Sequence, residues 1–207
     1  MSRDPEVLDL GRAPFAPTHA RMLQIADAVR KRELPGMTLL VEHDPVYTAG
    51  RATDADDITD DIIPVERGGK ITYHGPGQLV VYPVVRLPRR DVRDWLRRLE
   101  QLGVAVCEAF GLEATPSVDG TGVFVGDRKV VSIGVAVRHW INLHGLSINV
   151  DMDLDAFRQI RPCGLDPSVM SDLSSLTGRA IPITEVAAAV TDLLGALLDD
   201  ADRSEPR

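Results

Sequence analysis

Apolar residues recur at helical spacing in three segments of the chain, and these segments predict three helices. In residues 18–36 the apolar positions form one stripe, and a Pro-Gly pair ends the segment. Residues 90–103 place apolar side chains at i, i+3, i+4, i+7 and i+10, which is the pattern of an amphipathic helix. Residues 184–198 are rich in alanine, valine and leucine and predict a closing helix.

Short apolar runs between these segments predict strands. Residues 7–11 and 37–43 each have the length and the β-branched or leucine content of a buried strand. One further strand is expected on each side of the turn Gly75-Pro76-Gly77. Residues 122–151 alternate between β-rich runs and turns, and Gly126-Asp127 is placed to turn the first hairpin.

The order of these elements indicates the fold class. Helices and strands do not alternate regularly, as they would in a doubly wound fold. We therefore predict an α/β protein of the α+β type, a single domain over residues 1–207 with a mixed, largely antiparallel sheet and flanking helices. Residues 51–64 are expected to form an acidic loop and residues 161–167 a second loop, and about residues 200–207 are expected to fray.

Composition and charge narrow the class of protein. The 207 residues are 44% hydrophobic and 26% charged, with no apolar run long enough for a membrane span and no apolar signal-peptide core. The net charge of −8 argues against nucleic acid as the main partner. The two cysteines, Cys107 and Cys163, are expected to be free thiols in a reducing compartment. We therefore expect a cytoplasmic protein, and a monomer because no apolar surface stripe is left unassigned.

Candidate chemistry centres on Cys163, which lies between a proline and a glycine in a predicted loop. A loop cysteine that a substrate can approach can act as a nucleophile, whereas many single cysteines are inert packing residues, and both interpretations stay open from local sequence. Cys107 lies among apolar residues and is expected in the core. The histidines are scattered and match no metal-binding motif, so no metal site is predicted.

A nucleophilic cysteine needs a neighbour that favours the thiolate, because the thiolate is the reactive form. The chain contains only three lysines against 20 arginines, and lysine can accept a proton whereas arginine cannot. Lys129 is therefore a candidate, with a solvated hairpin lysine as the alternative. The other candidates are His43, His74, His139 and His144.

Four segments together resemble the lipoyl(octanoyl) transferase family, the octanoyl-carrier-protein:protein transferases of lipoate biosynthesis. They are "EHDPVYTAGR", "RGGKITYHGPGQLVVYP", "GDRKVVSIGVAV" with "HGLSIN", and "RPCGL", in that order and spacing. The resemblance covers about residues 37–165. Val131 and Ser147 stand where alanine is expected, which bears on the shape of a pocket rather than on the chemistry.

The resemblance implies a fold similar to the catalytic domains of biotin and lipoate ligases, and it implies roles for particular residues. Cys163 matches the acyl-thioester nucleophile, and Lys129 matches the lysine that lowers the pKa of that thiol. His74 and His144 are secondary candidates for orienting the thioester or Lys129. The substrate-binding positions implied are Arg67, Gly68, Gly69, Lys70, Ile71, Thr72, Tyr73, His74, Ser132, Ile133, Gly134, Gly145, Leu146 and Ser147.

The function implied by the resemblance is the first step of endogenous protein lipoylation. An octanoyl group would pass from acyl carrier protein to Cys163 and then to a lysine of a lipoyl domain, without cofactor or metal. The implied acceptors are the lipoyl domains of 2-oxoacid dehydrogenase complexes and the glycine cleavage H protein. Two alternatives remain: an ATP-dependent lipoate–protein ligase of the same fold, and a non-catalytic scaffold that binds acylated carrier domains.

Two further hypotheses concern the surroundings of this site. The glycines at 68, 69, 75 and 77 are expected to remove side chains where an acyl-pantetheine arm passes close to the backbone, with a sheet bend as the alternative. Residues 86–98 contain six arginines and two aspartates, and this basic segment is expected to steer the acidic donor or acceptor toward Cys163, with a solvated helix side carrying local ion pairs as the alternative.

Overall fold

The computed structural model describes residues 6–54, 61–118, 120–160 and 165–198. The expectations for residues 161–164, for part of the acidic loop and for the tail beyond residue 198 lie outside these ranges. The strands are β1 Glu6–Ala13, β2 Gly36–His43, β3 Val46–Ala49, β4 Ile62–Pro64, β5 Ile71–His74, β6 Gln78–Val85, β7 Thr115–Pro116, β8 Gly122–Val125, β9 Arg128–Arg138 and β10 Ile141–Asn149. The α-helices are α1 Phe15–Lys31, α2 Val92–Ala109, α3 Leu173–Thr177 and α4 Ile183–Leu198, with 3₁₀ helices at Leu154–Gln159 and Pro167–Val169.

Seven strands form the main sheet in the order β1-β2-β6-β10-β9-β8-β7, and three form a small sheet in the order β4-β3-β5. The pairs β1–β2 and β3–β4 are parallel, and the remaining pairs are antiparallel. This arrangement confirms the predicted mixed, largely antiparallel sheet with flanking helices.

The main sheet is covered on both faces, which explains its continuous apolar strands. Leu40 of β2 and Val81 of β6 pack with α2 and α4 on one face. The neighbouring residues Leu39 and Val80 pack with α1 on the other face. Because β6 is buried along its whole length, its sequence is apolar at nearly every position rather than at alternate ones.

The predicted helices are present, and the differences from prediction lie in short elements. α1 begins at Phe15, three residues earlier than expected, after Pro14 at the N-cap. The strands β3 and β4 were not predicted, and β4 falls in the segment expected to be a loop. Elements of three or four residues carry too few positions for a periodic pattern. None of the described helices combines the length and the apolar composition that a membrane span requires.

Gly77 makes room for protein backbone rather than for a substrate, so the expectation for this glycine is corrected to the sheet-bend alternative. Its φ is +81°, and a Cβ at this position would collide with the carbonyl group of Asp151. The carbonyl oxygen of Gly77 also accepts hydrogen bonds from the backbone N–H groups of Val150 and Asp151, at 2.9 and 3.0 Å.

Gly77→Ala is therefore expected to lower the free energy of unfolding by more than about 2 kcal/mol, since backbone strain and a backbone collision add together. Gly111→Ala is the matched control, because Gly111 has φ +77° and no neighbouring atom within 4 Å of an added Cβ. Urea unfolding of both variants should show a loss of about 1 kcal/mol for the control, from strain alone. Equal losses would contradict the collision.

The basic segment runs from beside the β9–β10 turn into α2, and Glu100, two residues after its last arginine, accepts a hydrogen bond from the backbone N–H of Gly122 at 3.4 Å. The guanidinium of Arg90 lies 5.9 Å from the ring centroid of Trp140, in the turn between β9 and β10. Lys129 stands at the opposite end of β9, a strand of eleven residues and so about 33 Å long. One end of the basic segment is therefore distant from Lys129 and the other end approaches it, and the steering role stays a prediction.

Candidate functional site

A cavity, here called the central cavity, lies where the small sheet meets β6, β9 and β10 under the start of α1. Its free volume of about 30 Å³ is close to that of one water molecule. Nine of the residues implied as substrate-binding contribute to its wall. Its lining residues are Phe15, Thr48, Val65, Arg67, Thr72, His74, Val80, Tyr82, Ser132, Ile133, Gly134, His144, Gly145, Leu146 and Ser147.

A second cavity, here called the lysine cavity, adjoins the central one because Arg67 and Ile133 line both. Its volume is about 430 Å³, within the range of small-molecule sites. Gly68, Gly69 and Lys70 contribute to its wall. Its lining residues are Arg67, Gly68, Gly69, Lys70, Thr115, Pro116, Ser117, Val118, Gly120, Thr121, Phe124, Gly126, Lys129, Ile133 and Leu165.

Lys129 is held in this second cavity by its neighbours on β8 and in the loop before it. The side chain is only 2% exposed, which is rare for lysine. Its Nζ donates a hydrogen bond of 3.1 Å to the carbonyl oxygen of Thr121 and lies 5.7 Å from the ring centroid of Phe124. A Cβ on Gly122 would lie 2.8 Å from Lys129 Cε, so this glycine creates the space that the lysine occupies. The solvated-hairpin alternative for Lys129 is wrong.

The chain that follows Cys163 runs beside Lys129. Leu165 lines the same cavity, and Met170 forms a parallel bridge with Lys129. The backbone N–H of Ser171 donates to the carbonyl oxygen of Lys129 at 3.0 Å. Cys163 itself lies outside the described residues, and its proximity to Lys129 stays a prediction.

The predicted segment 67–74 divides between the two cavities and the core because strand side chains alternate. Thr72 and His74 of β5 face the central cavity. Tyr73 points to the opposite face, where its ring centroid lies 5.1 Å from that of Tyr47 and 5.8 Å from that of Phe157. Tyr73 packs with Met170, the bridge partner of Lys129, and its implied role in substrate binding stays a prediction. Ile71, also buried, is on the same side of β5 as Tyr73.

Arg67 organises the turn between the two cavities. Its Nη1 donates to the carbonyl oxygens of Gly68 and Lys70 at 3.1 and 2.8 Å. Its Nη2 donates to the carbonyl oxygen and the hydroxyl of Thr48 at 2.8 and 2.9 Å. A Cβ on Gly134 would lie 3.1 Å from Arg67 Cδ, so the small residue on β9 makes room for this side chain. Arg67 thus positions the glycine-rich turn through the backbone.

A chain of buried polar groups joins the central cavity to the strand of Lys129. His74 Nδ1 donates to Gln78 Oε1 at 2.6 Å, and Gln78 Nε2 donates to Asn149 Oδ1 at 2.9 Å. Asn149 Nδ2 donates to the carbonyl oxygen of Ser171 at 2.9 Å, and the N–H of Ser171 reaches the carbonyl of Lys129. Neither Gln78 nor Asn149 was predicted, although both are polar residues in otherwise apolar strands.

Burial makes His74 a neutral imidazole. Desolvation, with smaller contributions from His43 and Arg67, lowers the pKa of His74 to about 3. Because Gln78 Oε1 can only accept, Nδ1 carries the proton and Nε2 keeps its lone pair. His74 can therefore accept a hydrogen bond at Nε2, but it does not supply a positive charge to the cavity at neutral pH.

The lowered pKa of His74 predicts a loss of stability in mild acid. A histidine whose folded pKa lies below its unfolded value near 6.5 destabilises the fold as the pH falls through 6.5. Between pH 7 and pH 5 this residue is expected to remove about 2 kcal/mol from the free energy of unfolding. His43 and His144 also have pKa values lowered by burial and act in the same direction.

Urea unfolding at several pH values would measure this effect. His74→Gln should show a shallower dependence on pH than the parent protein, whereas the exposed-site control His139→Gln should keep the parent's dependence. Identical slopes for the parent and His74→Gln would contradict a neutral buried His74.

Cys107 is confirmed as a core residue. It has no exposed surface, and burial raises the pKa of its thiol to about 12. A thiol with this pKa is almost entirely protonated at neutral pH and is a poor nucleophile.

Comparison with known proteins gives consistent matches over the whole fold. The family model described as "Lipoyl protein ligase A/B catalytic domain" matches residues 16–195. A protein of Pelobacter propionicus named octanoyltransferase is 41% identical over 197 residues, covering 93% of this chain and 94% of the relative. The octanoyltransferase of Geobacter metallireducens is 39% identical, with 94% and 93% covered.

Solved structures show the same fold at low identity. A crystal structure of lipoate-protein ligase A bound with ATP superposes with a TM-score of 0.75 at 19% identity, covering 94% of this chain and 85% of that one. Biotin protein ligase from Aquifex aeolicus, in complex with biotin and ATP, gives a TM-score of 0.59 at 12% identity, covering 93% and 70%.

Proposed function

Because this chain belongs to the lipoyl protein ligase A/B catalytic domain family, we propose that it is an octanoyltransferase of protein lipoylation. The observation that carries the proposal is its similarity, over nearly the full length of both chains, to relatives named octanoyltransferase. The donor would be octanoyl acyl carrier protein. The acceptors would be lysines on the lipoyl domains of 2-oxoacid dehydrogenase complexes and on the glycine cleavage H protein.

The first transfer moves the acyl group to Cys163. The thiolate attacks the carbonyl carbon of the octanoyl thioester, a C–S bond forms to Cys163, and the C–S bond to the carrier's pantetheine breaks. The ammonium of Lys129 would stabilise the thiolate by Coulomb attraction in a site with little water. The support for this pairing is that Lys129 and Leu165, two residues after Cys163, line one cavity.

The second transfer moves the acyl group to the acceptor lysine. The departing pantetheine thiolate takes up a proton from Lys129, leaving a neutral amine. This amine accepts a proton from the ammonium of the incoming lysine, and the freed nitrogen attacks the acyl-Cys163 carbonyl carbon. An amide forms, the bond to Cys163 breaks, and the remaining extra proton of that nitrogen passes to water. The thiolate and the ammonium of Lys129 are restored. A thioester replaces a thioester in the first step, so no ATP is needed.

The two cavities suggest a path for the acyl chain. The thioester would lie beside Lys129, and the octanoyl chain would pass Ile133 and Arg67, which line both cavities, into the central cavity. The central cavity has room for about one water molecule, so its wall has to widen to admit eight carbons. Gly145, Leu146 and Ser147 of β10 would form part of that wall.

The proposal includes a monomer in a reducing compartment, consistent with the cytoplasm. A thiol nucleophile has to stay reduced between turnovers. The most exposed large apolar side chains of the described residues come from six different segments, and no single helix or strand carries two of them. They are Val7, Leu34, Ile63, Val92, Val118 and Trp140.

An ATP-dependent lipoate–protein ligase is the second candidate, because the fold matches a ligase bound with ATP. Such an enzyme activates the acid as an adenylate and needs no cysteine nucleophile. A scaffold that only binds acylated carrier domains would use the same cavities without chemistry.

Intact-protein mass spectrometry separates these three functions. After incubation with octanoyl acyl carrier protein and no ATP, the transferase should gain one octanoyl group, which hydroxylamine removes. Adding a lipoyl domain should move that mass to the acceptor. Acylation of the lipoyl domain only with ATP and free acid would identify a ligase, and carrier binding without any acyl gain would identify a scaffold.

A further inference from the structure

Three potential metal ligands converge beside the central cavity. His19 of α1, Glu66 of the loop before β5 and His144 of β10 each offer one atom, and these atoms all lie within 4.8 Å of one another. His19 Nε2 is 3.1 Å from Glu66 Oε2, and His144 Nε2 is 3.5 Å from the same oxygen. The three residues lie in three separate parts of the sequence, so only the tertiary structure brings their side chains together.

The residue types of the cluster suit a cation, because imidazole and carboxylate are common ligands of transition metals. Neutral imidazole and ionised carboxylate are the forms that bind metal.

One of the three ligand atoms is buried without a hydrogen-bond partner in the described part of the chain. His144 Nε2 is buried and has no hydrogen-bond partner of acceptable geometry among the described residues, with Glu66 Oε2 as its neighbour at 3.5 Å. A buried polar atom without a partner lowers the free energy of unfolding, and a ligand bound at that atom would remove this cost. The side chain of His144 is 4% exposed, whereas those of His19 and Glu66 are 23% and 17% exposed, which leaves one side open to solvent.

The distances are close to those of a zinc site. Zinc binds imidazole nitrogen and carboxylate oxygen at about 2.0–2.2 Å, which in a tetrahedron separates the ligand atoms by about 3.4 Å. The two contacts to Glu66, at 3.1 and 3.5 Å, already bracket this value. The two imidazole nitrogens are at most 4.8 Å apart. To reach the separation of about 3.4 Å in a zinc tetrahedron, they would have to move closer to each other by no more than about 1.4 Å. The rings are 28° from parallel and would also have to tilt, a motion that the more exposed His19 can make.

We propose that His19, Glu66 and His144 bind one zinc ion, with water in the fourth position. Two imidazoles and one carboxylate favour zinc over magnesium, because magnesium prefers oxygen ligands in an octahedron. The bound ion joins α1 to β10 at the wall of the central cavity. The proposed zinc ligands include neither Cys163 nor Lys129, and the site goes beyond the proposed transfer reaction.

The test uses the full chain carrying Cys163→Ala, which removes the thiol that could bind zinc at the other site. Equilibrium dialysis against zinc chloride should give one zinc per chain with a micromolar or lower Kd, and zinc should raise Tm by several degrees. Magnesium chloride should leave Tm unchanged. Cobalt(II) should give the visible absorption bands of a four-coordinate site without the strong thiolate-to-metal band.

Matched variants locate the ion. His19→Ala, at a position whose side chain is 23% exposed, should weaken zinc binding at least tenfold and remove the zinc-dependent rise in Tm. Glu66→Gln keeps the shape and hydrogen-bonding capacity of the side chain but is a poor ligand, and it should have the same effect. His139→Ala, at the exposed turn between β9 and β10, should bind zinc as the parent does.

Three results would overturn the proposal. The first is no zinc binding by the Cys163→Ala protein below about 100 µM, a Kd weaker than a three-ligand site should give. The second is unchanged zinc affinity in His19→Ala, which would place the ion elsewhere. The third is a Glu66→Gln protein with lower metal-free Tm but unchanged zinc affinity, which would make the cluster a purely structural hydrogen-bonded network.

Discussion

Cys163→Ala is expected to reduce octanoyl transfer by more than about a thousandfold, the scale of loss when a covalent nucleophile is removed. The variant should also fail to gain octanoyl mass from octanoyl acyl carrier protein, because no thiol remains to form the thioester. Cys163→Ser should be almost as inactive, since a hydroxyl is a much weaker nucleophile than a thiolate at neutral pH. Initial rates of transfer to a lipoyl domain, together with intact-protein mass spectrometry, measure both effects.

Cys107→Ala is the matched control for this prediction. Its thiol is buried in the core cluster between α2 and the main sheet, and burial raises its pKa to about 12. Removing the sulfur should cost about 1 kcal/mol of stability and leave most of the activity. Equal losses of activity from Cys107→Ala and Cys163→Ala, at equal folded fractions, would contradict the assignment of the nucleophile.

The sequence was sufficient for the fold class and for the longer elements. The apolar face of α2 was predicted from its spacing, and in the structure Trp95, Leu99 and Leu102 are buried against the sheet. Local periodicity works here because each helix buries one face and so repeats the same signal over several turns. The resemblance then supplied the substrate-binding positions, nine of which line the central cavity.

What the sequence missed depends on pairing between distant segments. The chain from His74 through Gln78 to Asn149 joins β5, β6 and β10, and no local pattern indicates which polar residues will meet. The cluster of His19, Glu66 and His144 spans more than half of the chain and matches no motif. The opposite orientation of Tyr73 could have been predicted, because neighbouring residues in a strand point to opposite faces.

Gly77 shows why composition alone misleads. A glycine-rich turn beside a histidine suggests space for a substrate, and Gly68 and Gly69 do line the lysine cavity. At Gly77, however, the missing side chain accommodates the carbonyl of Asp151. Distinguishing the two uses of glycine requires knowing which backbone passes nearby, and that information is tertiary.

Lys129→Arg is expected to be almost as damaging as Lys129→Met, with a loss of about 10²–10⁴-fold in transfer to the lipoyl domain, the usual contribution of a general acid–base group. Arginine keeps the positive charge but cannot accept a proton from the incoming amine. The cavity also fits lysine closely, since even a Cβ on Gly122 would lie 3.1 Å from Lys129 Nζ. The exposed control Lys31→Arg, on α1 and paired with Asp27 at 2.7 Å, should keep parent activity.

The two transfers can be measured separately and at several pH values. These measurements distinguish loss of the proton acceptor from misfit of the larger arginine side chain. Mass spectrometry follows acylation of Cys163, and the decay of the acyl-enzyme with added lipoyl domain follows the second step. If Lys129 accepts the proton, the defect of Lys129→Arg in the second step should shrink as the pH approaches 10, where the acceptor lysine loses its own proton. A misfit would leave the same defect at every pH. Near-normal turnover by Lys129→Arg at pH 7 would show that Lys129 contributes only its charge.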